Sequence, residues 1–358
     1  MVVMKPFGQF VNQVHPTHPT HPTKGTPRRG RNISSSQIEK FQMCQRKWWL
    51  DKIAGFKEPY KRHFAYGTAL HDAGERFLHG ETDLFPEGWA AGLNPEEIDH
   101  IKGLVRKAII TGVWSVVPGS YIEYPLCLLV GPRLLDDGGM PLRAKAVVKE
   151  DEEGVRFIDR PDCLDDGSPL PPGALDLPYY VGFIDHFIPA EAGAPCIKDH
   201  KTAKHRGYAK KERDITESTQ LLTYSCIPFS LYPWTDAVIG QYNIFLKDDA
   251  APEPVYSVQA AIYRRQAAAR WQTVIQITQM MEQLRRDAPR IGEPAKHKAM
   301  GDRTDRAANW KRVPGQVETR DRKIIKESCD AYGGCPYRDL CFGRCTCEQL
   351  AYRMDKAI

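Results

Sequence analysis

The sequence predicts an α/β fold: a central sheet with helices packed against it. Three observations carry that expectation. Strand-like runs of apolar, aromatic and β-branched residues crowd the middle of the chain, between Tyr121 and Tyr263. Segments with helical spacing stand on both sides of them. One strand-like run, "CIKDHKTAK" (Cys196 to Lys204), sets a carboxylate, Asp199, two residues before an ammonium, Lys201.

The elements follow in order. "HPTHPTHPT" (His15 to Thr23) is Pro-rich and of low complexity, so residues 1–32 read as a disordered basic His/Pro/Thr tail. "SSSQIEKFQMCQRKWWLDKI" reads as a helix: Ser36 and Glu39 form a capping box, and Ile38, Phe41, Cys44 and Trp48 share an apolar face. "YGTALHDAGERFL" reads as a second helix, with Thr68 as N-cap and His71 and Glu75 on one face. "YIEYPLCLLV", "LRAKAVV", "GVRFID" and "YYVGFIDHFIP" are strand-like. Residues 131–180 hold eleven acids against six bases, with "DDGG" and "PLPPG", which marks an acidic loop-rich insertion. The turn "AEAGAP" lets "GFIDHF" and "CIKDHKTAK" pair as an antiparallel hairpin. Thr216 to Ser230 reads as helix, "DAVIGQYNIFL" and "PVYSVQAAIY" as strands, and Arg265 to Arg286 as a long helix. Packing helices on that sheet gives one domain over 33–358.

Charge narrows the class of partner. The chain has 358 residues and a formal net charge of +5. Lys5, Lys24, Arg28 and Arg29 in the tail account for most of it, so any polyanion site in the body must be local. It is: Cys196 to Asp214 holds seven Lys or Arg against three acids, and Arg285 to Lys326 thirteen against six. No apolar run nears the ~20 residues of a membrane span, and no signal-peptide core opens the chain. A cytoplasmic protein without membrane partners is expected, its cysteines reduced or metal-bound.

Residues two apart on a strand point the same way, so Asp199 and Lys201 project together and His200 opposite. That pattern fits an exposed ion pair or a metal-ligating carboxylate beside a catalytic lysine. Asp185, in "GFIDHF", would meet Asp199 across the hairpin. Two converging carboxylates make the hard-oxygen site that Mg²⁺ or Mn²⁺ prefers. A cation beside them stabilises the charge that grows on a phosphate in the transition state. His71 is a candidate further ligand. Gln220 and Tyr224, four apart on a helix, share a face from which they would hold Lys201 or the phosphate.

"SSSQIEKFQMCQRKWWLDKI", "GTALH", "GFIDHF", "IKDHKTAK" and "QLLTY" stand in the order found in RecB-type nucleases of the PD-(D/E)XK superfamily, which the chain resembles from Ser34 to Cys345. The resemblance implies a restriction-endonuclease-like core, a mixed central sheet flanked by helices, with helical N- and C-terminal segments joined by a metal/cysteine staple. It implies that His71, Asp185 and Asp199 ligate the metal and that the Ile197–Lys198 region adds a backbone carbonyl. It implies that Lys201 is the catalytic lysine, supported by Gln220 and Tyr224. His200 stands where the family often has an aromatic residue. The implied function is a metal-dependent DNA nuclease, an exonuclease in recombination, repair or phage DNA metabolism, with DNA as partner and a helicase or recombination protein as the implied associate. The alternative is a non-catalytic nucleic-acid-binding protein that keeps the fold.

"CDAYGGCPYRDLCFGRCTC", within residues 327–347, places five cysteines in nineteen residues: Cys329, Cys335, Cys341, Cys345 and Cys347. Such clustering points to a metal. CRISPR-associated and AddB-type members of the resembled group are similar here, and imply a 4Fe–4S cluster held by Cys44, Cys329, Cys335 and Cys341, with Cys345 as a substitute and Zn²⁺ as the alternative metal. The chain departs from that pattern at Gln45, where a proline is usual, and in lacking a late CxxC. Cys127, Cys163, Cys196 and Cys226 read as ordinary thiols.

Overall fold

The computed structural model describes residues 32–53, 62–151, 156–190, 193–248 and 250–287. The described chain divides into two compact units, one of residues 32–35 and 62–275, the other of 36–53 and 276–287. No helix among the described residues is long and apolar enough to cross a membrane.

A six-stranded mixed sheet organises the first unit. Its strands are β1 (Asn32–Ile33), β2 (Tyr121–Leu129), β5 (Tyr179–Ile188), β6 (Cys196–Ala203), β7 (Ala237–Leu246) and β8 (Val255–Tyr263). A separate hairpin, β3 (Val147–Glu150) with β4 (Arg156–Asp159), lies in the acidic insertion. Asn32 pairs with Tyr179, so a residue assigned to the tail is part of the sheet. β5 and β6 form the expected antiparallel pair, and β6 runs parallel to β7 over its whole length. Pro125 sits in β2, which has β5 as its sheet partner, and an edge strand tolerates a residue without an N–H.

Helices cover both faces of β6, β7 and β8. His200, Asn243 and Phe245 point to one side. There α3 (Arg62–Leu78) and α4 (Pro95–Ile110) pack Leu70, Ala73, Leu104 and Val105 with Trp114, Phe245 and Val255. Burying this much apolar side chain, at ~1.5–3 kcal/mol for each large residue, is what holds the layer. Asp199, Lys201 and Tyr242 point to the other side, where Ile215 of α5 (Glu212–Glu217) and Gln220 of α6 (Thr219–Tyr224) lie. Tyr180 is fixed from that side by Trp271 of α8 (Arg264–Asp287) and by Thr223, whose Oγ1 is 2.7 Å from its hydroxyl.

Several local expectations change. Thr68 is inside α3, because the helix begins at Arg62. α1 (Ser35–Met43) starts one residue before the expected cap, Ser36. The first helical run breaks at Cys44, whose extended backbone caps α2 (Gln45–Lys52) while its Sγ accepts from the Lys47 amide at 3.4 Å. Phe41 and Trp48 meet edge to face across this break, and Lys40 pairs with Asp51 at 2.6 Å. The single helix expected from Thr216 to Ser230 is three short ones, α5, α6 and α7 (Cys226–Leu231), with Ser218 and Ser225 at the junctions.

Candidate active site

The site begins at an interruption in the sheet. One edge of β5 pairs with β1 at Tyr179 and Tyr180, then with β6 from His186 to Ile188. Between Tyr180 and His186 that edge has no strand partner among the described residues. The next rung beyond His186↔Lys198 would be Asp185 opposite Asp199, and there the ladder stops. The His200 amide instead donates to Asp185 Oδ2 at 2.7 Å. A side chain has replaced a carbonyl as the acceptor, and the strands part around two carboxylates.

His71 reaches this opening from α3. Its Nε2 lies 2.9 Å from the His200 carbonyl, and its Nδ1 3.5 Å from Asp185 Oδ2. A carbonyl only accepts, so Nε2 carries a proton. On the other side of the ring, Nδ1 and a carboxylate oxygen face each other, an arrangement that a proton or a bound cation between them would complete.

Lys201 Nζ stands 2.7 Å from Asp199 Oδ2 and donates to Gln220 Oε1 at 3.2 Å. The Lys201 ammonium is thus the counter-charge of a buried carboxylate oxygen. Gln220 Nε2 in turn donates to the Tyr224 hydroxyl at 3.4 Å. Tyr224 is buried and fits because residue 182 is glycine: a Cβ there would lie 2.7 Å from the tyrosine oxygen. Gln220 and Tyr224 therefore form a relay behind the lysine, as the helical spacing implies.

Electrostatics sort these groups. Burial pushes the Asp199 carboxyl up to about 6, against the Lys201 charge and with help from Asp185. Burial works on Asp185 too, but His71, His200, Lys201 and the His200 amide hold its carboxyl below the ordinary value. Burial alone would lower Lys201, yet Asp199 and Asp185 outweigh it and raise the ammonium above its ordinary value. Burial brings His200 down to about 3, so this ring is neutral, packed near Trp114 and Phe245 with Asn243 Nδ2 3.2 Å from its Nδ1.

A third carboxylate went unnoticed in the sequence. Glu123, on β2 in register with Asp185, adopts φ 49°, a left-handed conformation uncommon outside glycine. Burial, then Asp185 and Glu75, raise its carboxyl well above the ordinary value. Arg156 of the insertion hairpin opposes this: its guanidinium lies 3.6 Å from Glu123 and 3.3 Å from Glu75. The available signal was an isolated acid inside the apolar run "YIEYPL", the same signal that marked Asp185 in "GFIDHF".

Ile197 and Lys198 are paired on both sides, with Phe187 and His186 and with Gly240 and Gln241. The carbonyl that meets His71 belongs to His200. Among the described residues no group of three or more His, Cys, Asp or Glu is closed tightly enough to hold a metal ion. The reason is visible in the contacts: Asp199 has turned to Lys201 and Asp185 to the His200 amide. The donor set still suits a hard cation. Asp185 and Asp199 present carboxylate oxygens beside the His200 carbonyl, and both lie near enough to Glu123 to raise its carboxyl. Of the expected cluster ligands, Cys44 is a half-exposed free thiol, whereas Cys329, Cys335, Cys341 and Cys345 lie outside the described residues. Cys127, Cys163, Cys196 and Cys226 are free cysteines.

The chain matches the family model of the PD-(D/E)XK nuclease superfamily over residues 32–342. No curated protein matches it significantly. One similar solved structure, described as "Crystal structure of SSO0001", shares 10% identity at a TM-score of 0.28, covering 76% of this chain and 84% of that one, too loose a likeness to support a conclusion. The family match spans most of the chain, including the β5–β6 opening with its carboxylates and lysine. The chain belongs to the PD-(D/E)XK nuclease superfamily.

Proposed function

We propose that the chain is a Mg²⁺- or Mn²⁺-dependent deoxyribonuclease of RecB type that degrades DNA from its ends, in recombination, repair or phage DNA metabolism. The observation that carries this reading is the meeting of Asp185, Asp199 and Lys201 in one break of the sheet. Superfamily membership makes the chain a nuclease. The basic segment that leaves β6 supports a polyanionic substrate.

Asp185 and Asp199 would hold the cation, with His71 and the His200 carbonyl beside them. A divalent ion bound there would acidify water and offset phosphate charge. The chain's own groups do the rest. Lys201 is a cation throughout the neutral range, so it serves as a fixed charge and hydrogen-bond donor to a phosphate oxygen, not as a base. Gln220, backed by Tyr224, fixes the direction of its ammonium. In the reaction, water oxygen bonds to phosphorus, the bond to the leaving sugar oxygen breaks, and that oxygen gains a proton.

The test is incubation with end-labelled single- and double-stranded DNA in Mg²⁺, Mn²⁺ or chelator. Release of short labelled products from ends, stopped by chelator, is the expected result. Binding without cleavage under every metal would favour a non-catalytic nucleic-acid-binding protein. We also propose that Cys44 joins Cys329, Cys335 and Cys341, or Cys345 in place of one, around a 4Fe–4S cluster, with zinc as the alternative. Iron and zinc content of anaerobically purified protein separates the two.

A further inference from the structure

The segment that leaves β6 does more than carry charge. Within "KHRGYAKK" (Lys204 to Lys211), Tyr208 is 74% exposed, matched among the aromatic side chains of the described fold by Trp234. Its position is fixed. The Tyr208 amide donates to the His205 carbonyl at 3.0 Å, and Ala209 is buried beneath the turn. His205 is fixed behind it: the Gly207 amide donates to His205 Nδ1 at 3.2 Å, and the two rings lie 4.3 Å apart. Glycine at 207 leaves room for the ring, since a Cβ there would stand 3.0 Å from the imidazole. The result is a pre-ordered ledge of two rings with one open face.

Cations surround that ledge. Lys204, Arg206, Lys210, Lys211 and Arg213 are all exposed. Arg206 is anchored over Tyr256 at 4.8 Å and touches Glu253 at 3.4 Å, and Arg213 lies 3.8 Å from Asp214. The ledge follows Lys201 on the same chain: His205 is four residues on, at most about 14 Å along an extended backbone. A polynucleotide whose phosphate lies at Lys201 and that runs on past the end of β6 reaches the ledge within a few nucleotides.

We infer that Tyr208, backed by His205, is a stacking platform for an unpaired base, and that the substrate strand crosses this ledge single-stranded. An exposed ring stacks on a base only where the base face is free, and in an intact duplex the faces are hidden by neighbouring pairs. The lysines and arginines hold the phosphates on either side, which is how sequence-tolerant single-strand sites combine stacking with charge. The inference rests on the nuclease reading above for its substrate and adds the strand state and the contact.

The test measures binding of fluorescent single-stranded DNA, single-stranded RNA and blunt duplex DNA to full-length protein carrying Lys201→Ala, so that nothing is cut. Adding Tyr208→Ala should weaken single-strand binding roughly tenfold or more, leave duplex binding within twofold, and be rescued by Tyr208→Phe. Equal losses for DNA and RNA would support a platform indifferent to the sugar, and a larger loss for one would support it and identify the strand. Single-strand binding unchanged by Tyr208→Ala, or equally reduced by Tyr208→Phe, would overturn the platform. Wild-type cleavage of DNA in that case would leave the nuclease reading standing. A wild type that neither binds nor cuts any of the three would remove both.

Discussion

The His200 amide is bonded to the Asp185 carboxylate at 2.7 Å, where the β5–β6 ladder would otherwise continue. Asp185 is thus both a sheet acceptor and a candidate ligand, and the two roles can be separated. Asp185→Asn keeps an oxygen for the amide and loses the charge. It should stay folded, with a melting temperature near wild type, while Mn²⁺ affinity drops at least tenfold in calorimetry and cleavage is lost. Asp185→Ala removes the acceptor as well and should also lower the melting temperature, since an unpaired buried amide costs about 1–3 kcal/mol. Unchanged Mn²⁺ binding in both variants would rule out this site.

Lys201→Ala should lower cleavage about a hundredfold or more. It also strips Asp199 of its counter-charge, so a structural cost accompanies the chemical one. That cost should appear in melting curves at pH 8 and fade at pH 5, where Asp199 takes up a proton. An equal loss of stability at both values would show that the pair matters for packing and not for charge.

Gly182 is an indirect handle on the same lysine. In Gly182→Ala the new methyl meets the Tyr224 oxygen and ring, and relieving such overlap costs about 1–3 kcal/mol. Displacing Tyr224 frees Gln220 and loosens Lys201, so kcat should fall more than KM rises. Tyr224→Phe deletes the nearest atom, and the double variant should be more stable than the sum of the singles. Simple additivity would mean that the methyl is accommodated elsewhere.

Acidity gives a separate signature. The Asp199 carboxyl is raised from 3.8 to about 6 in the folded protein. The folded state therefore binds a proton across that window that the unfolded chain has released, and stability falls as pH rises through it. Asp185 has the opposite sign: its lowered value stabilises above the unfolded one and is lost as pH falls below 3.8. With chelator present, the melting temperature of Asp199→Asn minus that of wild type should grow between pH 4 and 6 and then level off. A difference flat across that range would contradict the burial-driven shift.

For the cysteines, Cys44→Ser should lose bound metal and soluble yield together. Cys163→Ser is the better control, because Cys127 is packed in a cluster with Leu129, Leu134 and Tyr179 where a hydroxyl would itself be costly. Normal metal content in Cys44→Ser would exclude it as a ligand.

The sequence made β2 and β5 to β8 legible because each carries period-two or continuous apolar patterning, and the Asp199–Lys201 pair was legible because strand geometry alone puts them on one side. What it hid were features made by contacts distant in sequence. α4 is a local exception: "NPEE" spells its cap, with Asn94 and Glu97 bonded reciprocally, yet it lies outside the expected elements. Glu123 was hidden because its role depends on the β2–β5 register and on Arg156, thirty-three residues on. The break between Tyr180 and His186 leaves no local mark at all, since it arises from where β1 ends and β6 begins along one edge of β5.

β6 is locked between β7 along its whole length and β5 at its start. Side chains alternate across a strand, so a one-codon insertion or deletion between Cys196 and Asp199 would move His200 toward the lysine's helix and send Asp199 and Lys201 into the apolar layer around Trp114. A change of two codons would keep the sides but shift both charges two rungs along β7. Length variation should thus be tolerated in the acidic insertion and forbidden within these eight residues. A scan of single-codon insertions would show it as a sharp gap in viable positions.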